Sequence, residues 1–230
     1  MDECPVSIHV MPARSSQLPF RDSYSASTAR ADSVGVFEQL FDERISLCVW
    51  QRTPDIQLED YVRQAAPSLP PARLERVSLR WGMSETVLSD FPEGPQKAHL
   101  IDELRGLVDL FSTLADTRTV GVRIVATDTA MCPQFHTDRV SLRLLCTWAG
   151  AGTEWVERRD VVSVPQAAGA LRLTEMPMRV GAVLNQMQCF DIGVFKGELW
   201  PVPDGYGVLH RSPPPRASTE RRVLVSLDAL

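Results

Sequence analysis

The sequence predicts an α+β chain in which a helical N-terminal third packs on a C-terminal β-sandwich or barrel. Residues 96–116 carry apolar side chains at three- and four-residue steps, the period of an amphipathic helix. From Thr119 onward the chain changes to short β-rich stretches separated by Gly, Pro and Asp. Turn signals every 8–15 residues or so are typical of all-β sandwiches and barrels, not of βαβ units.

Local signals predict the elements of the N-terminal part in chain order. Residues 1–32 are rich in Ser, Pro, Arg and Ala without an apolar period, so we expect a flexible tail. A short helix over 33–44 and a strand over 45–52 follow. Thr53-Pro54 then begins a helix that Pro67 ends, and a proline-rich turn leads to a short extended piece and the helix over 96–116. We therefore expect residues 33–118 to be mainly helical.

The C-terminal part is predicted to form a barrel over residues 119–230, so that residues 33–230 make a single domain. Its β-type stretches are rich in Val, Ile, Leu and Phe and are bounded by turn residues. They cover residues 119–128, 140–148, 169–173, 181–186, 188–197, 205–212 and 221–228.

Composition and charge exclude several classes of protein. The chain has 230 residues, a formal net charge of −5 and no block of Lys and Arg, which argues against nucleic acid as the main partner. No apolar run approaches the roughly 20 residues that span a bilayer, and the N-terminus lacks the apolar core of a secretory signal. Five scattered cysteines without a CxxC pair fit reduced thiols, so we expect a cytoplasmic protein.

A metal site is predicted from "CPQFHTDRVSLRLLCTW", residues 132–148. On an extended segment residues i and i+2 point to the same face, so His136 and Asp138 can converge on one ion. His210 ends a later β-type stretch, and Arg221 and Arg222 open the last one. Two histidines and one carboxylate are the facial triad of non-haem Fe(II) sites. A structural hydrogen bond between His136 and Asp138 is the alternative reading.

In this order of residues, the C-terminal half resembles the Fe(II)/2-oxoglutarate oxygenases, which are built on a double-stranded β-helix, or jelly roll. The resemblance implies that His136, Asp138 and His210 bind Fe(II). It also implies that Arg221 or Arg222 binds the distal carboxylate of 2-oxoglutarate, for which a guanidinium is well shaped. Alternation along the strand lets only one of the two arginines point inward, and their spacing does not choose between them.

Two further residues bear on the site. Arg143 alternates with two leucines, so it faces the side opposite to them, where it either binds an anionic co-substrate in the barrel or faces solvent. Cys132 lies four residues before His136. It is either a soft extra ligand, which would favour zinc over iron, or a small buried apolar residue.

A second resemblance covers residues 33–230. The segments 132–156, 196–201 and 210–228 resemble a bacterial family defined only as a domain of unknown function. Members occur near genes for zinc-handling GTPases of the cobalamin-synthesis W type, which implies a link to metal supply.

Three functions follow as hypotheses. The first is a hydroxylase-type Fe(II)/2-oxoglutarate oxygenase acting on a small molecule, a protein side chain or a nucleobase. The second is a non-catalytic zinc- or iron-binding cupin-like protein of metal homeostasis, with Cys132 closing the site. The third is a barrel without metal that serves as an interaction module. The number of protein ligands separates the first two, because a catalytic site keeps open positions and a structural zinc site is closed.

Overall fold

The computed structural model describes residues 26–78, 85–161, 178–201, 207–214 and 220–230. Two α-helices, several 3₁₀ turns and ten strands make up this part of the chain, which confirms the predicted α+β class. The helices are α1 (Ile56–Ala65) and α2 (Pro95–Leu114). The strands are β1 (Thr28–Ala31), β2 (Leu47–Trp50), β3 (Ala72–Ser78), β4 (Thr119–Thr127), β5 (Leu142–Ala149), β6 (Glu154–Val156), β7 (Leu184–Gln186), β8 (Ile192–Lys196), β9 (His210–Arg211) and β10 (Arg222–Ala229).

Both α-helices follow from local sequence signals. Asp55 begins α1, where its carboxylate accepts hydrogen bonds from the backbone N–H groups of the first turn. Pro95 takes the first position of α2, which needs no N–H donor. The buried stripe of α2, which includes Leu100, Leu104 and Phe111, packs on the large sheet, so the helix predicted over 96–116 is confirmed. None of the helices in the described part of the chain is long and apolar enough to cross a membrane.

The strands form two sheets that face each other. The large sheet has seven strands in the order β1-β2-β8-β5-β10-β4-β3, and the small sheet has three in the order β7-β6-β9. In β10, Val223, Val225 and Leu227 point to the helices, whereas Leu224 points to the small sheet and packs with Trp155. One face of the large sheet therefore carries the helices and the other carries the small sheet. Among the described residues the two sheets stay separate and do not form a closed barrel.

The structure differs from the predicted boundaries in one place. Residues 28–31, placed in the flexible tail 1–32, form β1 and pair in parallel with β2. Within residues 33–118, the predicted strand and the predicted extended piece are β2 and β3, and both belong to the large sheet. The pairing of β1 with β2 joins separate segments, which a local apolar period does not report. Residues 1–25 and the stretch predicted over 169–173 lie outside the described residues.

The helix predicted over 33–44 is a 3₁₀ helix, Val34–Phe41, and the strand predicted over 45–52 is β2. The helix predicted from Thr53-Pro54 to Pro67 is α1. The C-terminal stretches predicted around 119–128, 140–148 and 221–228 are β4, β5 and β10. These three are central or adjacent strands of the large sheet, where apolar side chains are buried on both faces.

Candidate metal centre

Backbone pairing brings the three predicted ligands together. His136 and His210 form an antiparallel bridge in which each backbone N–H donates to the other's carbonyl at 3.0 Å. Their imidazole rings lie side by side with centroids 4.6 Å apart. Asp138 follows on the same segment, and one ligand atom from each of the three residues lies within 4.8 Å of the others. The structure thus brings together residues that are separated by more than 70 positions in the sequence.

Hydrogen bonds fix which nitrogen of each imidazole faces the centre. Nδ1 of His136 lies 3.1 Å from the carbonyl oxygen of Gln134, and Nδ1 of His210 lies 2.9 Å from that of Val208. A carbonyl only accepts, so Nδ1 carries the proton in both rings and Nε2 of the neutral ring has a lone pair. Nε2 of His210 lies 3.2 Å from Asp138 Oδ2, and Nε2 of His136 lies 3.7 Å from Oδ1. This is how proteins orient histidine ligands of metals.

The charges at the centre suit a bound cation. Asp138 Oδ2 is buried and has no hydrogen-bond donor among the described residues. Burial alone would raise the pKa of Asp138, but His210 and the guanidinium of Arg143 outweigh burial and lower the pKa to about 2. Burial and the neighbouring His210 lower the pKa of His136, which favours its neutral form. An ionised carboxylate therefore faces the Nε2 atoms of two imidazole rings, and these donors fit a divalent metal ion.

Cys132 is not part of this group. Its side chain is exposed, and its thiol is not among the atoms that converge with those of His136, Asp138 and His210. The backbone carbonyl of Cys132 accepts a hydrogen bond from the N–H of Ser212 at 2.9 Å. Both predicted roles for this cysteine, an extra ligand and a buried apolar residue, therefore differ from the structure. The local spacing placed it near His136, but the chain turns the side chain outward.

Arg143 points to the side of the large sheet that faces the small sheet, and its guanidinium contacts two carboxylates of the chain. Its Nη1 lies 2.7 Å from Asp138 Oδ1. Its Nε and Nη2 donate to the two carboxylate oxygens of Asp228 at 2.7 and 2.9 Å. All three guanidinium nitrogens are thus engaged by carboxylates of the chain itself. One of these carboxylates belongs to the candidate ligand Asp138, and the predicted contact of Arg143 with 2-oxoglutarate stays a prediction.

The structure separates Arg221 from Arg222. Arg221 lies on the helix side, where its guanidinium donates to the backbone carbonyls of Ala66 at 2.7 Å, Leu69 at 3.0 Å and Ala126 at 2.6 Å. These contacts tie the end of α1 to the large sheet. Arg222 has the opposite orientation, on the face of β10 that looks toward the small sheet. Of the two, Arg222 is the one that faces inward.

Arg222 is a buried cation that forms no ion pair with another described residue. Its Nη2 donates to the hydroxyls of Thr153 at 2.9 Å and Thr147 at 3.3 Å, and its Nη1 to that of Ser212 at 3.3 Å. Its Nε is buried without a partner, and no carboxylate in the described part of the chain forms an ion pair with it. Burial lowers the pKa of Arg222 to about 10, so it is charged at neutral pH. A buried guanidinium with unused donors is a binding group for an anion.

The position of Ser212 relates this cation to the three candidate ligands. Ser212 follows His210 by two residues on one extended segment, so their side chains share a face and their Cα atoms lie roughly 6.6 Å apart. The Ser212 hydroxyl contacts the Arg222 guanidinium. The guanidinium of Arg222 therefore contacts the segment that carries His210, two residues further along the chain.

A loop that follows β8 supports Asp138 through backbone hydrogen bonds. After β8, the N–H groups of Gly197, Glu198 and Leu199 donate to the carbonyls of Ser141, Asp138 and Val140 at 2.9, 2.9 and 3.1 Å. This loop (197–199), which we call the strap, runs beside the segment that carries Asp138. At Gly197 a Cβ atom would lie 2.1 Å from the Val140 carbonyl oxygen. Only glycine allows this close approach.

Comparison with known proteins agrees with the fold. The family described as "Protein of unknown function (DUF1826)" matches residues 31–228. This chain belongs to the DUF1826 family. The predicted resemblance to a domain of unknown function is therefore confirmed. Among curated proteins, none matches the sequence.

Several solved structures resemble this DUF1826 chain. The dioxygenase for auxin oxidation 1 from Arabidopsis thaliana, solved as a binary complex with 2-oxoglutarate, has 12% sequence identity, covers 90% of this chain and 92% of its own, and gives a TM-score of 0.50. AviO1 from Streptomyces viridochromogenes has 13% identity, covers 85% and 94%, and gives 0.45. A prolyl-4-hydroxylase from Pseudomonas putida has 10% identity, covers 85% and 97%, and gives 0.44. At such a low identity, the likeness between this chain and the Arabidopsis dioxygenase concerns the fold alone.

Proposed function

We propose that this protein is a hydroxylase-type oxygenase that depends on Fe(II) and 2-oxoglutarate. The observation that carries the proposal is the convergence of two imidazole Nε2 atoms on the carboxylate of Asp138, with His210 Nε2 3.2 Å from Oδ2 and His136 Nε2 3.7 Å from Oδ1. His136, Asp138 and His210 hold the metal in this proposal. Three protein ligands leave coordination positions free for a co-substrate and dioxygen, as in other non-haem iron sites of this ligand type.

Arg222 binds the distal carboxylate of 2-oxoglutarate in this proposal. Its buried guanidinium forms no ion pair within the described part of the chain, and Thr147, Thr153 and Ser212 fix it by hydrogen bonds. A dicarboxylate can reach from this cation toward the metal centre because Ser212 and His210 share one extended segment. Arg221 is committed to carbonyls on the helix side and takes no part.

The strand order supports a jelly roll as the underlying architecture. From β4 to β10 the chain passes repeatedly between the sheets: β4, β5, β8 and β10 lie in the large sheet, and His136, β6, β7 and β9 lie in or beside the small one. Such alternation is how jelly rolls are wound. The Arabidopsis dioxygenase that resembles this chain was solved with 2-oxoglutarate, which agrees with the proposed co-substrate.

The overall reaction converts 2-oxoglutarate and dioxygen to succinate and CO₂. One oxygen atom enters succinate, and the other enters a C–H bond of the substrate as a hydroxyl group. Bound Fe(II) supplies the redox chemistry with dioxygen, and the residues of the chain bind and orient the reactants. The alternative of a closed zinc site depended on Cys132, whose thiol lies outside the group of converging ligand atoms.

The proposal is tested by anaerobic purification, metal analysis and a turnover assay with added Fe(II) and 2-oxoglutarate. We expect succinate to form, His136→Ala to abolish its formation, and Arg222→Met to reduce it because 2-oxoglutarate binds more weakly. Arg221→Met is the matched control and should keep the activity of whatever fraction folds. Tight stoichiometric zinc that resists replacement by iron, together with no succinate, would overturn the proposal.

A further inference from the structure

We infer that Asp228 and Arg143 form a positioning relay that selects Oδ2 of Asp138 as the metal ligand. This inference rests on the proposed metal site and adds two residues that do not touch the metal. Asp228 and Arg143 are direct partners in the antiparallel pairing of β10 with β5. The relay therefore begins on two central strands of the large sheet and ends at the segment that carries Asp138.

Arg143 is held at both ends of its guanidinium. Nε and Nη2 form a bidentate pair with Asp228, and Nη1 donates to Asp138 Oδ1 at 2.7 Å. The side chains of Arg143 and Asp228 are each only 25% exposed, and that of Asp138 is 11% exposed, so solvent screens these contacts weakly. A bidentate arginine–carboxylate pair fixes the plane of the guanidinium as well as its position. The direction of Nη1 toward Asp138 is thus set by Asp228.

The two oxygens of Asp138 consequently have different environments. Oδ1 accepts a charge-assisted hydrogen bond from Arg143, whereas Oδ2 is buried, accepts no hydrogen bond from a described residue and lies 3.2 Å from Nε2 of His210. A metal ion therefore meets one free oxygen rather than two equivalent ones. Binding through a single oxygen keeps a further coordination position free. When Arg143 is removed, the carboxylate can rotate and offer both oxygens.

Titration with Co(II) tests the relay without any turnover, because the affinity and the visible spectrum of the bound ion report the ligands directly. We expect Arg143→Met to weaken Co(II) binding by about 10–100-fold, the usual effect of losing a group that orients a ligand. The spectrum of bound Co(II) should also change, because the carboxylate is free to bind through both oxygens. Asp228→Asn should weaken binding less, because Arg143 keeps its charge but loses its anchor.

A double-mutant cycle separates a relay from two independent structural effects. If Asp228 acts through Arg143, adding Asp228→Asn to Arg143→Met causes no further loss of Co(II) affinity. Arg143→Lys keeps a positive charge but lacks the planar guanidinium that pairs with Asp228 through two hydrogen bonds. It should therefore retain part of the Co(II) affinity, but the Co(II) spectrum should differ from that of the unaltered protein. The exposed ion pair of Arg63 with Asp60 on α1 gives matched controls, Arg63→Met and Asp60→Asn, which should leave Co(II) binding unchanged.

The possible failures are distinguishable. If the unaltered protein has no Co(II) site that His136→Ala removes, both the proposed metal site and the relay are overturned. If that site is present, but Arg143→Met binds Co(II) with unchanged affinity and spectrum, only the relay is overturned. Additive losses in the double variant also contradict the relay. Circular dichroism identifies variants that do not fold, and the isosteric Asp228→Asn change then carries the test.

Discussion

Replacing Gly197 by alanine tests whether the strap holds Asp138 in its place. An added Cβ at this position would lie 2.1 Å from the carbonyl oxygen of Val140 and 2.7 Å from that of Asp138. Both atoms belong to the backbone, so no side-chain rotation relieves the contact. Gly197 does not have a left-handed φ, and the effect of alanine is therefore steric rather than conformational.

The size of the effect follows from these distances. Real Cβ contacts essentially never fall below 3.0 Å, so the Val140 carbonyl and Gly197 must separate by at least 0.9 Å, the difference between 3.0 and 2.1 Å. Overpacking of this kind costs about 1–3 kcal/mol. In a chain of this length that corresponds to a decrease in Tm of roughly 2–12 °C. Because metal ligands must be held to about 0.5 Å, we also expect at least a tenfold loss of metal affinity.

Thermal unfolding and Co(II) titration measure the two effects of Gly197→Ala in the same samples. Gly106→Ala is the matched control, because Gly106 lies on the exposed face of α2 with no atom within 4 Å of an added Cβ. It should raise stability by about 0.5–1 kcal/mol and leave metal affinity unchanged. If Gly197→Ala loses the hydrogen bonds of the strap but keeps an unchanged Co(II) affinity, the strap does not support Asp138.

Three other changes have defined outcomes. Arg222→Met should weaken 2-oxoglutarate binding by about 10–100-fold, because it removes a charge-assisted contact worth roughly 1.5–3 kcal/mol. Co(II) should still bind, and calorimetry measures the affinity for both ligands. Arg221→Met should instead lower Tm, because carbonyls near α1 lose their donor, and leave 2-oxoglutarate binding unchanged. In the folded protein the pKa of Asp138 is about 2, below its ordinary value of 3.8, so the ionised carboxylate stabilises the fold above pH 4 by on the order of 2 kcal/mol. This contribution is lost as the pH falls toward 2. The Tm difference between the unaltered protein and Asp138→Asn should therefore shrink over that pH range.

The ligand set could be predicted because strand geometry is local. His136 and Asp138 share a face at a spacing of two, and the order of the three ligands in the chain is visible in the sequence. The pairing of His136 with His210 depends on how two sheets assemble, so their contact had to be inferred from the resemblance. The same reasoning applies to Arg221 and Arg222: alternation shows that they diverge, but only the position of the helices shows which one faces inward.

The supporting contacts could not be predicted because each depends on the register of distant segments. Alternation predicts that Arg143 faces away from the two leucines beside it. Its partner Asp228, however, is 85 positions away and is found only through the pairing of β5 with β10. Gly197 is visible as a glycine after a strand, yet its close approach to Val140 is a tertiary contact. Long-range strand pairing likewise accounts for β1, whose short polar sequence shows no apolar alternation.

Binding of 2-oxoglutarate to the metal-loaded protein tests the central claim most directly. Mn(II) replaces Fe(II) in this calorimetric titration, so that no turnover occurs and no substrate is needed. We expect one 2-oxoglutarate to bind per chain, and only when the metal is present. This binding should be lost in His136→Ala, and its affinity should be lower in Arg222→Met. Binding of 2-oxoglutarate that is independent of metal and of Arg222, or no binding to a chain that holds Mn(II) at His136, would contradict the central claim.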